Sequence, residues 1–187
     1  SSDQTHEEND TGYYNTGIGY VALTSNAGDE NTATGALALV ANTSGDLNLA
    51  DGSQALAYNI TGSANTATGS RSVLSNTTGS YNTGIGNNAL YGNTTGSGNT
   101  GVGKGAGSAN DNNSYCTFLG YDAEQSVSIN FTNSMALGNT SRITASNQVR
   151  IGNGSITSIG GYAGWSNISD GRVKKNIKEN VPGLQFI

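Results

Sequence analysis

Charge is scarce in this chain. Asp, Glu, Lys and Arg make up only 11% of its 187 residues, where globular domains usually carry about 25%. Hydrophobic residues are also few, at 34%, against roughly 45–50% in ordinary domains. There is one Cys (Cys116), one Pro, one Trp (Trp165) and one His (His6). A single Cys excludes a framework of intrachain disulfides. A lone His6 in a polar leader has no partner residues for a metal site. No apolar run approaches the ~18 residues of a membrane span, and no signal peptide is visible. The first residue is Ser, so an upstream segment is expected to have been removed or left out.

What the chain has is glycine, 28 residues of it, without the every-third-residue spacing of collagen. Low net charge and near-absence of Pro also separate it from the usual disordered composition. The Gly residues belong to a repeat. "NTGIGYVAL" from Asn15 returns as "NTATGALAL" from Asn31, "NLADGSQAL" from Asn48 and "NTATGSRSV" from Asn65. "NTGIGNNAL" from Asn82, "NTGVGKGAG" from Asn99 and a degenerate "CTFLGYDAE" from Cys116 follow. The register glycines are Gly19, Gly35, Gly52, Gly69, Gly86, Gly103 and Gly120, spaced by 16 once and then by 17, with Gly138 as a last, looser copy. A second element, "NTSG" from Asn42, "NITG" from Asn59 and "NTTG" from Asn76 and Asn93, alternates with the first.

One copy reads as two short extended arms and two tight turns. Period-two alternation bounded by Asn, Thr and Gly predicts strand, not helix. Gly supplies positive φ, and Asn bonds its own backbone, so the "NTTG" segments are predicted turns. Stacked copies then make parallel sheets along a solenoid. In the first arm Ile18, Thr34, Thr68, Ile85, Val102 and Leu119 form one column. In the second, an Ala column from Ala22 to Ala123 runs beside Leu23, Leu39, Leu56, Val73 and Leu90. A core of one Ile or Val, one Ala and one Leu per turn scarcely offsets its ordering entropy at about 25 cal/mol per Å². The expectation is therefore self-association as a homotrimer, with Leu23, Leu39, Leu56, Val73 and Leu90 packed at the common axis. The repeat shortens after Asn147, which predicts a tapering cap near Trp165.

The repeats, over about residues 11 to 160, resemble the head repeats of trimeric autotransporter adhesins. They resemble still more closely the "NTATGxxAL…NTTG" arrays of bacterial surface and phage fibre proteins. The resemblance implies a left-handed parallel β-roll in a three-chain assembly; the 17-residue turn is longer than the commonest adhesin turn.

Four of the eight Lys and Arg residues fall between Arg172 and Lys178. "SDGRVKKNI" from Ser169 resembles the start of the endosialidase-type intramolecular chaperone domain, whose motif runs Ser-Asp-x-Arg-x-Lys-x-Asn-Ile. Ser169, Asp170, Arg172, Lys174, Asn176 and Ile177 match it. The resemblance implies an assembly module that in many members cuts itself free, with Ser169 as nucleophile and Lys174 as its base. A Ser hydroxyl needs such a proton acceptor, and a desolvated Lys can serve.

Other motifs carry less. "GVGKGAG" at Gly101 continues the repeat glycines and opens no predicted helix, which argues against a phosphate loop. Asn-x-Ser/Thr at Asn42, Asn59, Asn76 and Asn93 reads as turn chemistry. There is no GGxGxD array for calcium, and no cofactor is expected. Cys116 takes the place of an Asn in its column and is expected to be a free, buried thiol. Residues 1–168 hold 11 acidic and 4 basic groups, a net −7, which argues against nucleic-acid binding.

The expected organisation is a leader (1–10), a β-roll (11–146), a cap (147–168) and the start of a chaperone domain (169–187). The expected function is a structural fibre or adhesin segment, extracellular, on a bacterial surface or virion tail, with a surface glycan or receptor as its distal partner. The alternatives are a precursor cut once near Ser169, and an ice-binding solenoid presenting Thr16, Thr32, Thr66, Thr83, Thr100 and Thr117.

Overall fold

The computed structural model describes residues 12–109, 112–127 and 129–160. The chain divides at Ile156, and every strand lies in the first unit. The leader 1–10, Trp165 and the whole Ser169–Ile187 segment lie outside the described residues.

The first unit is an all-β parallel solenoid with no helix among the described residues. Its strands are β1 (Thr16–Ile18), β2 (Thr32–Thr34), β3 (Leu49–Asp51), β4 (Thr66–Thr68), β5 (Thr83–Ile85), β6 (Thr100–Val102), β7 (Thr117–Leu119), β8 (Glu124–Gln125), β9 (Met135–Leu137), β10 (Arg142–Ile143) and β11 (Val149–Ile151). Nine of them form one parallel sheet in the order β1-β2-β3-β4-β5-β6-β7-β9-β11, and β8 and β10 form a second. The register is one-to-one, as in Thr66↔Thr83, Ala67↔Gly84 and Thr68↔Ile85. From strand to strand the coils measure 16 residues, then 17 five times, then 18 and 14.

Thr and Ile at the strand ends suit an extended backbone. The register glycines stop each strand, with φ between 112° and 143°, a region closed to residues with a side chain. Space forbids a side chain as well: a Cβ on Gly52 would lie 2.6 Å from the Gly69 carbonyl carbon. This pins one coil directly beneath the next.

Three expectations about the interior need correction. The second arm is not a strand in the regular coils. Val21, Leu37, Gln54, Arg71 and Asn88 have φ of 56–61°, and Leu23, Leu39, Leu56, Val73 and Leu90 have φ of 50–58°. Left-handed residues alternating with ordinary ones coil the segment into turns. These turns still stack, through Leu23 N–H to the Ala38 carbonyl (3.1 Å) and Leu90 N–H to the Ala106 carbonyl (2.9 Å). Only β8 and β10, where the repeat decays, make the second arm extended.

The parity of the first arm is also reversed. Gly17, Ala33, Ala50, Ala67, Gly84 and Gly101, the middle residues, point inward, while Ile18 (61% exposed) and Ile85 (43%) point out. Finally, Leu23, Leu39, Leu56, Val73 and Leu90 are at most 2% exposed within the single chain. They fill their own coil and present nothing to a common axis, because the left-handed backbone turns their side chains in.

Candidate functional site: an amide-lined interior and an uncharged outer face

With only Ala and Leu to fill it, the interior is completed by buried amides. Asn31, Asn48, Asn65, Asn82 and Asn99 form one fully buried column, and Asn26, Asn42, Asn59, Asn76 and Asn93 form another. In the first, each side-chain oxygen accepts the backbone N–H of its successor, as Asn65 N–H donates to Asn48 Oδ1 (3.0 Å) and Asn82 N–H to Asn65 Oδ1 (2.9 Å). Each side-chain NH2 reaches forward to a turn carbonyl: Asn48 to Gly62 (2.9 Å), Asn65 to Gly79 (2.9 Å), Asn82 to Gly96 (2.8 Å). The second column donates to the same carbonyls, Asn59 to Gly62 (2.8 Å) and Asn76 to Gly79 (2.9 Å), and to its own predecessor, Asn76 to Asn59 Oδ1 (2.7 Å). Two amides therefore converge on one carbonyl per coil.

This satisfies backbone groups that could not reach water, where an unpaired one costs roughly 1–3 kcal/mol. It also explains the glycines of the "NTTG" turns, since a Cβ on Gly62 would sit 2.3 Å from the Gly79 carbonyl oxygen and 2.5 Å from Asn59 Oδ1. A third column at the turn rim, Asp46, Ser63, Ser80 and Ser97, works the same way: Ser63 N–H donates to Ser80 Oγ at 3.1 Å. Because Asn42, Asn59, Asn76 and Asn93 are at most 3% exposed, the folded coil leaves no room for a glycan on any of them.

The first column ends at Cys116. Its backbone N–H still meets Asn99 Oδ1 (3.0 Å), but its thiol only donates weakly, to the carbonyls of Ser114 (3.5 Å) and Phe131 (3.6 Å). Burial raises the thiol above its ordinary pKa, so it is a poor nucleophile at neutral pH. Nearby, Glu124 is 4% exposed. Its Oε2 accepts Ala109 N–H (2.8 Å) and the Ser108 hydroxyl (3.1 Å). Burial still raises the carboxyl above its ordinary 4.5, although these bonds and Arg142 oppose the shift.

Outside, the nine-stranded sheet presents two columns. The first is Thr16, Thr32, Leu49, Thr66, Thr83, Thr100, Thr117, Met135 and Val149. The second is Ile18, Thr34, Asp51, Thr68, Ile85, Val102, Leu119, Leu137 and Ile151. Asp51 is the only charge among them, and its carboxylate accepts the Thr34 hydroxyl. Beside the sheet, Tyr14, Leu47, Tyr81 and Tyr115, with φ of 57–61°, are 57–88% exposed. Tyr115, Thr117, Met135 and Val149 line a shallow hollow of about 170 Å³. The Thr ladder thus lies on an open face, broken by Leu49 and Met135.

Of the residues expected to matter, the register glycines and the Leu column belong to the coil described. Ser169, Asp170, Arg172, Lys174 and Asn176 fall outside the described residues, so their geometry is not part of this picture. Among the described residues no group of three His, Cys, Asp or Glu side chains could hold a metal ion. The signal that sequence reading missed was the monotony of the strand centre: only Gly or Ala occupies it from Gly17 to Gly101, as an inward position facing a narrow interior requires. No family model, no curated protein and no solved structure matches this chain.

Proposed function

We propose that this chain is a structural segment of an extracellular fibre or adhesin, assembled from three parallel copies. Such a segment belongs to a bacterial surface appendage or a virion tail, and its distal partner is a surface glycan or receptor. The observation that supports the reading is the outer sheet face. It runs unbroken along nine rungs, carries one charge, and exposes Ile18, Ile85, Leu119, Val149 and Ile151. Exposed apolar surface of this extent marks an interaction site in soluble proteins. A neighbouring copy has the same rung spacing, so every apolar column meets its equivalent in register. Since the Leu column is consumed inside the coil, this face replaces it as the trimer seam.

The Ser169–Ile177 motif supports the same reading, as the start of a module that brings three chains into register. In the alternative form Ser169 and Lys174 would also cut the chain once. Intact mass of the full precursor separates the two forms: a break beside Ser169 that is lost in Ser169→Ala signifies cleavage, and an uncut wild type signifies assembly alone.

Sedimentation equilibrium tests the central claim. The full chain is expected at three copies per particle. Ile85→Asp with Val102→Asp, which leaves the interior untouched, is expected to lower the mass toward one copy while the circular-dichroism spectrum is kept. A folded wild-type monomer at micromolar concentration would end the proposal.

A further inference from the structure

The sign of the charge changes along the solenoid. Through Glu124 the described residues carry Asp29, Glu30, Asp46, Asp51, Asp122 and Glu124 against Arg71 and Lys104. From Gln125 to residue 160 there is no acidic residue at all, and the two charges present are Arg142 and Arg150. Both line one cleft of about 250 Å³, together with Thr140, Ile151, Gly152, Asn153 and Gly154.

We infer that this cleft is a binding site for an oxyanion, a carboxylate, sulfate or phosphate group borne on a small polar molecule. The two Arg residues are brought together by the last two coils, and the backbone between them is tied where Ser141 Oγ donates to the Arg150 carbonyl (3.1 Å). Arg142 is held by its own bond from Nη1 to the Gln125 carbonyl (3.2 Å). A guanidinium has five N–H donors, so this bond orients the group and leaves others for a ligand. Glu124 is the one carboxylate acting on Arg142, and it is occupied by Ala109 N–H and the Ser108 hydroxyl. Arg150 makes no hydrogen bond or ion pair with any described residue.

The rim adds polar groups suited to hydroxyls or to a second anion oxygen. Asn153 is fixed by its amide bonds to the Asn139 carbonyl and the Thr140 hydroxyl, both 3.0 Å. Neither Asn153 N–H nor Gly154 N–H has a partner among the described residues. A Cβ on Gly154 would meet nothing within 4 Å, so that lip is open to approach. Two forks of parallel N–H donors on a net-positive end match the planar geometry of a carboxylate or the tetrahedral one of phosphate.

Titration of the full chain with sodium phosphate, sodium sulfate, glucuronate and, as the neutral control, glucose tests the site at constant ionic strength. The readout is the arginine side-chain N–H resonances in a heteronuclear NMR spectrum. Saturable shifts of Arg142 and Arg150 are expected with at least one anion and not with glucose. Preference for glucuronate over both inorganic ions would identify a carboxylate ligand, and the reverse a phosphate or sulfate. Arg150→Gln is expected to weaken the binding about tenfold, the worth of one charged hydrogen bond of about 1.4 kcal/mol. Shifts that never saturate, or saturable binding that Arg150→Gln leaves unchanged, would overturn the proposal. Arg71→Gln, a distant surface change, controls for the loss of charge alone.

Discussion

Coils before Ala109 and coils after Asn113 share a period but not an interior. The earlier ones are uniform: an inward Gly or Ala from the strand, a left-handed Leu or Val from the turn, and two amides. In the later ones Cys116 takes an amide's place, Phe118 takes the place of the small strand residue, and Glu124 and Gln125 are buried in a true second strand. The difference teaches that the backbone register, and not the identity of the filling, is what repeats. When one column changes, a neighbouring column changes to match. Gly107 stands where Leu90 stood one coil earlier, and the Phe118 ring occupies the vacated space: a Cβ on Gly107 would be 2.7 Å from both Phe118 Cδ2 and Leu90 Cδ2.

The comparison breaks most sharply at the amides. Asn65→Ala removes two donated and two accepted bonds and leaves Asn82 N–H buried without a partner. A loss of roughly 2–4 kcal/mol is expected in urea unfolding. The same truncation at Cys116 is expected to cost about 1 kcal/mol or less, because the column has already ended there. Equal losses at the two positions would show that the ladder carries no special weight.

A second measurement sharpens the idea of matched columns. Phe118→Gly alone opens a cavity and is expected to cost about 3–5 kcal/mol. Gly107→Leu alone is blocked by the ring and is also destabilising. Together they restore the pattern of the earlier coils, and Gly107 already has the left-handed φ of 66° that Leu90 shows at 51°. The double variant is expected to recover at least 2 kcal/mol relative to the sum of the singles. Additive losses would refute the pairing of the two sites.

The smallest effect concerns Glu124. Its folded pKa is raised, so between 4.5 and the folded value the native chain holds a proton that the unfolded chain has released. Stability is therefore expected to fall as pH rises through that window and then level off. Glu124→Gln should flatten the slope in urea midpoints taken from pH 4 to 7. An unchanged slope would assign the pH dependence to another group.

Period, strand positions and turn positions were all legible in the sequence, because Asn, Thr and Gly mark them by simple steric and hydrogen-bonding rules. The side-chain directions were not. A three-residue strand such as Thr83–Ile85 satisfies either parity, and hydrophobicity alone favoured burying Ile85 over Gly84. What decides against it is the width of the coil, which the amide columns already occupy. The left-handed Leu residues were invisible for a related reason. Leu and Val rarely adopt that region, at a cost of roughly 1–2 kcal/mol each, and only the stacking bonds of neighbouring coils make it the better choice. The Arg150 cleft escaped notice because Arg142 and Arg150 meet only once the last coil contracts to 14 residues.

The carbonyl on which two amides converge also makes the molecule a ruler. Each coil's polar needs are met in full by its immediate neighbours, so a coil has no knowledge of its place in the stack. Duplicating residues 49–65 would insert one more rung, lengthening the rod by about 4.8 Å with every contact reproduced. Removing a single residue from the same coil would instead turn its Asn outward and leave two carbonyls stranded. Length can therefore change only in whole steps, by recombination between near-identical copies and not by gradual trimming.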